Sequence, residues 1–199
     1  MNRTIILALI TLGLAGATQT FAGSTVIVES RKADDSTNSP AWTEISGIWS
    51  KSKNKSRAEE LTFFTGKNVF ITQTNKPVPA FKIAPEGLES GKTYQVDVTF
   101  GNSHGNPASA DLVVAVAATG VSACTISTNT PAFQGANANT WTTLGTITPN
   151  CDHPTLTFTY ASGTLSPESR WYADTIRFSP EGAAPAKAKP AKKPKKNAE

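Results

Sequence analysis

The sequence predicts an all-β fold, an antiparallel β-sandwich of the jelly-roll or a related Greek-key type. About eight to ten short segments rich in β-branched and aromatic residues follow one another along the chain. Clusters of Gly, Pro, Asn and Ser separate these segments, and only residues 58–61 suit a helical turn. With 199 residues, the chain is long enough to bury a core without metals or many disulfides.

The N-terminal segment predicts export. Arg3 precedes an apolar run over residues 5–17, which is too short to span a bilayer, and small residues lead to a cleavage site after Ala22. No later segment predicts a membrane helix. We therefore expect a signal peptide at residues 1–22 and a protein that is secreted, periplasmic or held at the cell surface.

The positive charge of the chain is concentrated at its C-terminal end. Residues 24–180 carry 12 Lys and Arg against 13 Asp and Glu, whereas residues 181–199 carry 6 Lys against 2 Glu. This Ala-, Pro- and Lys-rich tail predicts disorder, and either contact with polyanions or a solubilising role fits its composition. Specific nucleic-acid recognition is not expected of a domain with a net charge of −1.

The two cysteines, Cys124 and Cys151, predict one disulfide, because export permits its formation. Such a bond would stabilise the fold by about 3 to 4 kcal/mol. A metal site or a redox pair is the alternative, but the spacing is not CxxC and the chain has only two histidines. No cofactor is expected, and structural calcium is left open.

In the first half of the chain, alternation and β-branched residues predict strands over residues 25–29, 68–72 and 80–83, with an interrupted strand over 42–50. Residues 51–57 hold four basic side chains among Ser and Asn, which favours a solvated loop over an anion-binding patch. The clearest strand covers residues 93–100. Its alternation predicts a buried face and a wet face that includes Gln95 and Asp97.

In the second half, both faces of the segment 111–117 are apolar, which predicts a central strand that is covered on both sides. Residues 121–139 suggest a long loop, and strands are expected over residues 140–148 and 155–160. The last strand, residues 170–180, closes the domain at 24–180 before the composition changes.

The last strand contains a carboxylate in an apolar row. With a period of two, one of its faces carries Tyr172, Asp174, Ile176 and Phe178, and the other carries Trp171, Ala173, Thr175 and Arg177. Burial of a bare charge costs several kcal/mol, about the stability of a small domain. We therefore expect Asp174 to be hydrogen-bonded to loop amides or paired with an arginine, a structural role that is favoured over calcium or sugar ligation.

Four stretches carry a family resemblance. They are Ser46-Gly47-Ile48-Trp49, Gly91-Lys92-Thr93-Tyr94-Gln95-Val96, Thr140-Trp141-Thr142-Thr143-Leu144-Gly145 and Tyr172-Ala173-Asp174-Thr175-Ile176-Arg177-Phe178 with Pro180. In this order, they resemble the golvesin and xanthan-lyase carbohydrate-binding-like domain. The resemblance implies a galactose-binding-like β-sandwich in a secreted bacterial protein. It also implies a non-catalytic role in binding carbohydrate or extracellular matrix.

A hydrolase motif must be weighed against this interpretation. Residues 101–105 match G-x-S-x-G, the pattern of a serine nucleophile that is oriented by a following helix. Residues 106–110 instead lead into another strand, which predicts a hairpin loop. A triad would also need a histidine such as His153 opposite the serine. We therefore do not expect an enzyme, and a hydrolase is the third alternative.

Aromatic faces that stack on sugar rings and planar polar groups that bind hydroxyls are the expected ligand-binding elements. The candidates are Trp171, Arg170, Trp49 and Trp141. Trp171 lies opposite the Asp174 face and is the leading candidate for an exposed platform, although packing under the second sheet fits it equally well. Packing at sandwich edges is favoured for Trp49 and Trp141. The leading partner is a polysaccharide or cell-surface glycan. The second interpretation is a structural surface or adhesion protein that uses protein partners or self-association.

Overall fold

The computed structural model describes residues 24–32, 37–55, 65–69, 77–101, 109–127, 139–166 and 168–182. The predicted signal peptide, tail residues 183–199, the helical turn at 58–61 and residues 102–105 of the G-x-S-x-G motif lie outside this part of the chain.

The described residues form twelve strands and no helix. The strands are β1 (Val26–Glu29), β2 (Trp42–Ser46), β3 (Ser50–Lys55), β4 (Thr65–Val69), β5 (Ala80–Ile83), β6 (Tyr94–Thr99), β7 (Val113–Thr119), β8 (Val121–Cys124), β9 (Thr142–Pro149), β10 (Thr155–Ser162), β11 (Trp171–Ala173) and β12 (Thr175–Pro180). They form a five-stranded sheet in the order β1-β12-β6-β9-β8, a four-stranded sheet β2-β5-β10-β7 and a three-stranded sheet β11-β4-β3. All pairs of neighbouring strands are antiparallel, which confirms the predicted all-β sandwich.

The core lies where the apolar faces of the sheets meet. Val96 and Val98 of β6 and Phe178 of β12 are buried from the five-stranded sheet, and Phe81 and Phe158 from the four-stranded sheet. The rings of Phe81 and Phe158 stack with centroids 4.9 Å apart. Burial of large apolar side chains is the main stabilising contribution, at about 1.5–3 kcal/mol for each side chain.

Strands β3, β7 and β8 differ from the sequence prediction. Residues 50–55 form the edge strand β3 instead of a loop, because a sheet edge accommodates lysines at alternate positions. Residues 121–124 form the edge strand β8 within the predicted loop. The strand predicted to be central, β7, is instead an edge strand. One of its faces points away from the core and includes the exposed Ala117, so the small apolar residues on that face did not indicate burial.

The predicted disulfide is absent, since Cys124 and Cys151 are both free and exposed. Cys124 lies opposite Ile147 in the β8–β9 register, whereas the Cys151 sulfur lies 3.6 Å from the carbonyl oxygen of Gly120, beyond the other end of β8. The length of β8 thus separates the two residues by roughly 10 Å along the strand, which exceeds the reach of a disulfide. The spacing of the two cysteines in the sequence does not reveal the β8–β9 register that keeps them apart.

The predicted last strand divides at Asp174. β11 belongs to the three-stranded sheet and β12 lies between β1 and β6 in the five-stranded sheet. Trp171 is fully buried, with its ring centroid 5.1 Å from that of Trp49 and 5.5 Å from that of Phe81. Of the two alternatives for Trp171, the exposed platform is therefore wrong and the packed position is correct, because the chain changes sheets at Asp174 and both faces of β11 are covered.

Candidate functional site

A polar row crosses the outer face of the five-stranded sheet. Alternation along β6 places Tyr94, Val96 and Val98 in the core and turns Gln95 and Asp97 to the other face. In the register, Arg177 of β12 and Thr143 of β9 lie directly opposite Asp97 on its two sides. Three neighbouring strands thus bring a guanidinium, a carboxylate and a hydroxyl into one row.

Asp97 is the centre of this row. Its Oδ2 accepts hydrogen bonds from Nε (3.1 Å) and Nη2 (2.8 Å) of Arg177. Its Oδ1 accepts hydrogen bonds from Thr143 Oγ1 (2.7 Å) and Gln95 Nε2 (2.8 Å). The side chain of Asp97 is only 1% exposed, so these four donors replace the water that its charge would otherwise require.

An indole ring lies over the same row. The Cζ atom of Arg177 is 4.3 Å from the ring centroid of Trp141, within the range of a cation–π interaction. Trp141 directly precedes β9 and is partly exposed. Arg177 therefore neutralises Asp97 and also supports the Trp141 ring. We call Gln95, Asp97, Trp141, Thr143 and Arg177 the Trp141 face.

A β-bulge in β9 brings Thr143 to Asp97. Val96 pairs with Gly145, but Asp97 pairs with Thr143, so Leu144 is the extra residue. Gly145 has φ of 152°, and a Cβ atom there would lie 2.9 Å from the backbone nitrogen of Ile126. Without this bulge, the residue opposite Asp97 would be Leu144, and the carboxylate would lose its hydroxyl donor.

Hydroxyl pairs extend the polar surface from the Trp141 face toward the edge strand β8. Thr93 and Thr148 share a hydrogen bond of 2.9 Å, and Thr125 and Thr146 share another of 2.9 Å. These cross-strand pairs hold the hydroxyl groups in a fixed arrangement. The outer face therefore offers ordered polar atoms beside a partly exposed aromatic ring.

Asp174 has the hydrogen bonds that its sequence position predicted. Its Oδ2 accepts from the backbone nitrogen of Gly101 at 3.2 Å, and its Oδ1 accepts from Thr175 Oγ1 at 3.2 Å. Its backbone carbonyl also accepts a hydrogen bond of 2.8 Å from the nitrogen of Ser30. These contacts tie three chain segments together where β11 ends and β12 begins.

Glu29 lies near this buried carboxylate, on the edge strand β1. Partial burial, and then the negative charge of Asp174, raise the pKa of Glu29 from 4.5 to about 7. The ionised form of Glu29 is thus unfavourable at neutral pH, because it is partly buried and lies near the charge of Asp174.

The four predicted ligand residues do not form one site. Trp49 is buried and its Nε1 donates a 2.8 Å hydrogen bond to the carbonyl of Ser46, which confirms the packing role favoured for it. Trp171 is in the core, and Arg170 lies next to it at the start of β11, where its backbone carbonyl accepts a 2.9 Å hydrogen bond from Ser109. Of the three predicted ligand-binding tryptophans, Trp141 is the one that lies on the outer face of the five-stranded sheet.

Sequence reasoning missed the polar partners of Trp141. Alternation correctly placed Gln95 and Asp97 on the face of β6 that points away from the core, but it predicted that Asp97 would be wet. The missing information was the register, because only the pairing of β12 with β6 and the bulge in β9 bring these side chains together.

No group of three or more His, Cys, Asp or Glu side chains within the described ranges is arranged to hold a metal ion. Across the same ranges, no helix has the length and apolar composition needed to cross a membrane. His153, considered above as a triad member, is exposed.

Comparisons with protein-family models and with curated proteins give no match. Among solved structures, the chain is similar to a xanthan lyase from Paenibacillus, with a TM-score of 0.54 and 18% sequence identity. The similarity covers 79% of this chain and 13% of the lyase chain. At this level of identity, the likeness shows that the two proteins share a related β-sandwich fold.

Proposed function

We propose that this protein is a secreted, non-catalytic carbohydrate-binding module of the golvesin-like type, and that its ligand is a polysaccharide or cell-surface glycan bound at the Trp141 face. The observation that carries the proposal is the position of a partly exposed indole beside fixed polar side chains on one sheet face.

The chemistry of this face suits a sugar. An indole ring packs against the CH-rich side of a pyranose, and amide and hydroxyl groups hydrogen-bond to sugar hydroxyls. Gln95 and Thr143 are both exposed, and Gln95 Nε2 lies 3.2 Å from Thr143 Oγ1. The indole of Trp141 is partly exposed, and a sugar would stack on that exposed part of the ring.

The likeness in fold to the Paenibacillus xanthan lyase supports a carbohydrate-related role. The short part of the lyase that is matched agrees with an accessory domain, and the four resembling sequence stretches agree with it too. Export through the predicted signal peptide would place the module where polysaccharides occur.

The test is binding of the mature protein, residues 23–199, to a panel of neutral polysaccharides. We expect Trp141→Ala to weaken binding about tenfold, which corresponds to about 1.4 kcal/mol of lost stacking. Gln95→Ala should weaken it less. The matched control is Val78→Ala, which also truncates an exposed apolar side chain, at a position outside the Trp141 face. Unchanged binding by a folded Trp141→Ala variant would reject this face as the site.

A second candidate function is adhesion through protein partners or self-association. Ile45, Ile48 and Val78 are large apolar side chains with exposed fractions of 52%, 58% and 52%. The Oγ of Ser46 donates a hydrogen bond to the carbonyl of Val78, so these residues belong to one region at the edge strand β2. Absence of polysaccharide binding together with concentration-dependent association would favour this function.

A further inference from the structure

The edge strand β8 lacks the charges that normally protect a sheet edge. Charged side chains on an edge strand prevent it from pairing with another chain. Of the edge strands, β1, β2 and β3 contain Glu or Lys, whereas β7 and β8 contain no charged residue, and β11 is buried. Residues 112–151, which include β7, β8 and β9, contain no Lys, Arg, Asp or Glu, although 17% of the chain is charged. This side of the sandwich therefore has an unprotected edge.

The backbone of β8 is available for pairing. Within the described ranges, β9 is the only neighbour of β8 in the sheet, and Ser122, Ala123 and Cys124 are all exposed. The backbone nitrogen of Thr125 donates a 2.9 Å hydrogen bond to the carbonyl of Thr146. Because the backbone groups of successive residues point to opposite sides of an antiparallel strand, those of Cys124 point away from β9. The N–H and C=O groups of Cys124 thus face the open edge.

The thiol of Cys124 has no disulfide partner within the chain. Both cysteines are free and exposed, and Cys151 lies beyond the other end of β8. Export, as the N-terminal segment predicts, would place the protein where exposed thiols form disulfides. A disulfide at Cys124 therefore needs a thiol from another molecule.

We propose that two copies of this chain associate through antiparallel pairing of their β8 strands, and that a disulfide between the two Cys124 residues links the dimer. A two-fold axis through Cys124 places each Ala123 opposite Thr125 of the second copy and the two Cys124 residues opposite each other. Opposite residues that exchange both backbone hydrogen bonds have Cα atoms about 5.5 Å apart. This distance lies within the range of about 4.4–6.8 Å that a disulfide spans.

A second copy fits this edge better than an unrelated strand. Like charges directly opposite each other are destabilising, and two β8 strands bring no charges together. The two-fold axis also brings an exposed thiol opposite an identical one, which an unrelated strand would supply only by chance. Because β8 has only four residues and short strand pairs are marginally stable, the disulfide is needed to hold the dimer.

The link forms by thiol–disulfide exchange with a low-molecular-weight disulfide. The Cys124 thiolate of one copy attacks this oxidant, which forms a mixed disulfide and releases one thiolate. The Cys124 thiolate of the second copy then attacks the Cys124 sulfur of the mixed disulfide and releases the second thiolate. Two protein thiols thereby lose two protons and two electrons, and the small disulfide is reduced to two thiols.

The dimer would place two Trp141 faces on the same side. The two-fold axis of an antiparallel strand pair is perpendicular to the sheet, so the outer faces of both five-stranded sheets point the same way. Two linked sites on one polysaccharide chain would raise the apparent affinity by up to about 100-fold. This consequence, unlike the dimer itself, rests on the proposed function.

The experiment incubates the mature protein, residues 23–199, in a buffer of oxidised and reduced glutathione and measures its mass under non-reducing conditions. We expect a disulfide-linked dimer, in which peptide mapping shows Cys124 joined to Cys124. The variant Cys124→Ser should lose this dimer. The matched variant Cys151→Ser, which removes the other exposed thiol, should retain it.

The variant Ala123→Lys tests the strand pairing separately from the thiol. It places a lysine of each copy beside the two-fold axis, where the like charges repel each other. We expect the linked dimer to form about tenfold more slowly, because the two thiols are then brought together less often. The control Ala161→Lys adds the same charge at an exposed alanine of β10, which lies between β5 and β7, and should leave the rate unchanged.

A monomer that keeps two free thiols, or one that joins Cys124 to Cys151, would overturn the proposal. Intermolecular links through Cys124 and Cys151 in similar amounts would also overturn it, since nonspecific oxidation would explain them. Equal rates for Ala123→Lys and the unaltered protein would overturn the pairing of β8. Association through the apolar region at β2 would persist in Cys124→Ser. Because the assay involves no polysaccharide, failure here is distinguishable from failure of the proposed function.

Discussion

Removal of the guanidinium from the Trp141 face should destabilise the whole domain. In Arg177→Gln, the buried carboxylate of Asp97 would keep its hydrogen bonds from Thr143 and Gln95 but lose both hydrogen bonds to the guanidinium. Breaking a buried ion pair on one side costs about 3–5 kcal/mol. Because Arg177 itself is 18% exposed and two donors remain on Asp97, we expect a value near the lower end, about 3 kcal/mol.

The free energy of unfolding is measured by urea denaturation at pH 7, with the melting temperature as a second readout. For a domain of this size, about 3 kcal/mol corresponds to a melting temperature lower by about 6–12 °C. The control is Lys82→Gln, which removes a charge from the partly exposed Lys82 of β5, and we expect a change below about 0.5 kcal/mol.

The double variant Asp97→Asn/Arg177→Gln separates the ion pair from other effects. If the cost arises from an uncompensated charge, then removal of that charge should restore at least about 1 kcal/mol relative to Arg177→Gln. A loss below about 1 kcal/mol in Arg177→Gln would refute this reasoning. A double variant no more stable than Arg177→Gln would refute it as well.

Two further predictions concern Glu29 and Gly145. The pKa of Glu29 is raised in the folded state, so ionisation of this side chain opposes folding. The stability associated with its protonated carboxyl group is complete below about pH 4.5 and is lost as the pH rises through about 7. Glu29→Gln should therefore stabilise the protein at pH 8 by about 1–2 kcal/mol, after allowance for solvent screening, with no gain at pH 4.5. Urea denaturation at the two pH values measures this difference. Equal effects of the substitution at both pH values would contradict this cause. Gly145→Ala should lower the free energy of unfolding by about 1–3 kcal/mol, because the added Cβ would lie 2.9 Å from the backbone of Ile126. The control for positive φ alone is Gly91→Ala, where no atom lies within 4 Å of the added Cβ. Equal losses of stability in the two variants would show that the close contact at Gly145 is unimportant.

The fold class was predictable because local patterns determine it. The alternation of Tyr94, Val96 and Val98 with polar residues correctly predicted a strand with one buried face, and similar patterns located β5, β9 and β10. The hydrogen-bonding need of Asp174 was also predictable, since a carboxylate in an apolar row requires donors wherever the chain folds.

The candidate site was not predictable, because it depends on which strands become neighbours. Asp97 and Arg177 are 80 residues apart in the sequence, and their contact exists only because β12 pairs with β6. The burial of Trp171 likewise depends on the change of sheet at Asp174, which a continuous period of two conceals. The free cysteines reflect the same limitation, since sequence spacing does not determine whether two thiols lie within bonding distance.

The pairing of β1 with β12 has a mechanical consequence. Val26, at the start of β1, lies opposite Phe178, near the end of β12, so the two ends of the domain emerge side by side from adjacent antiparallel strands. A pulling force applied between these ends would act across the strand pair and open its hydrogen bonds one after another, instead of loading all of them in shear. If the module links a polysaccharide to a surface, it would therefore yield at low tension, and its proximate ends would allow it to be inserted into a loop of a larger protein with little separation of the flanking chain.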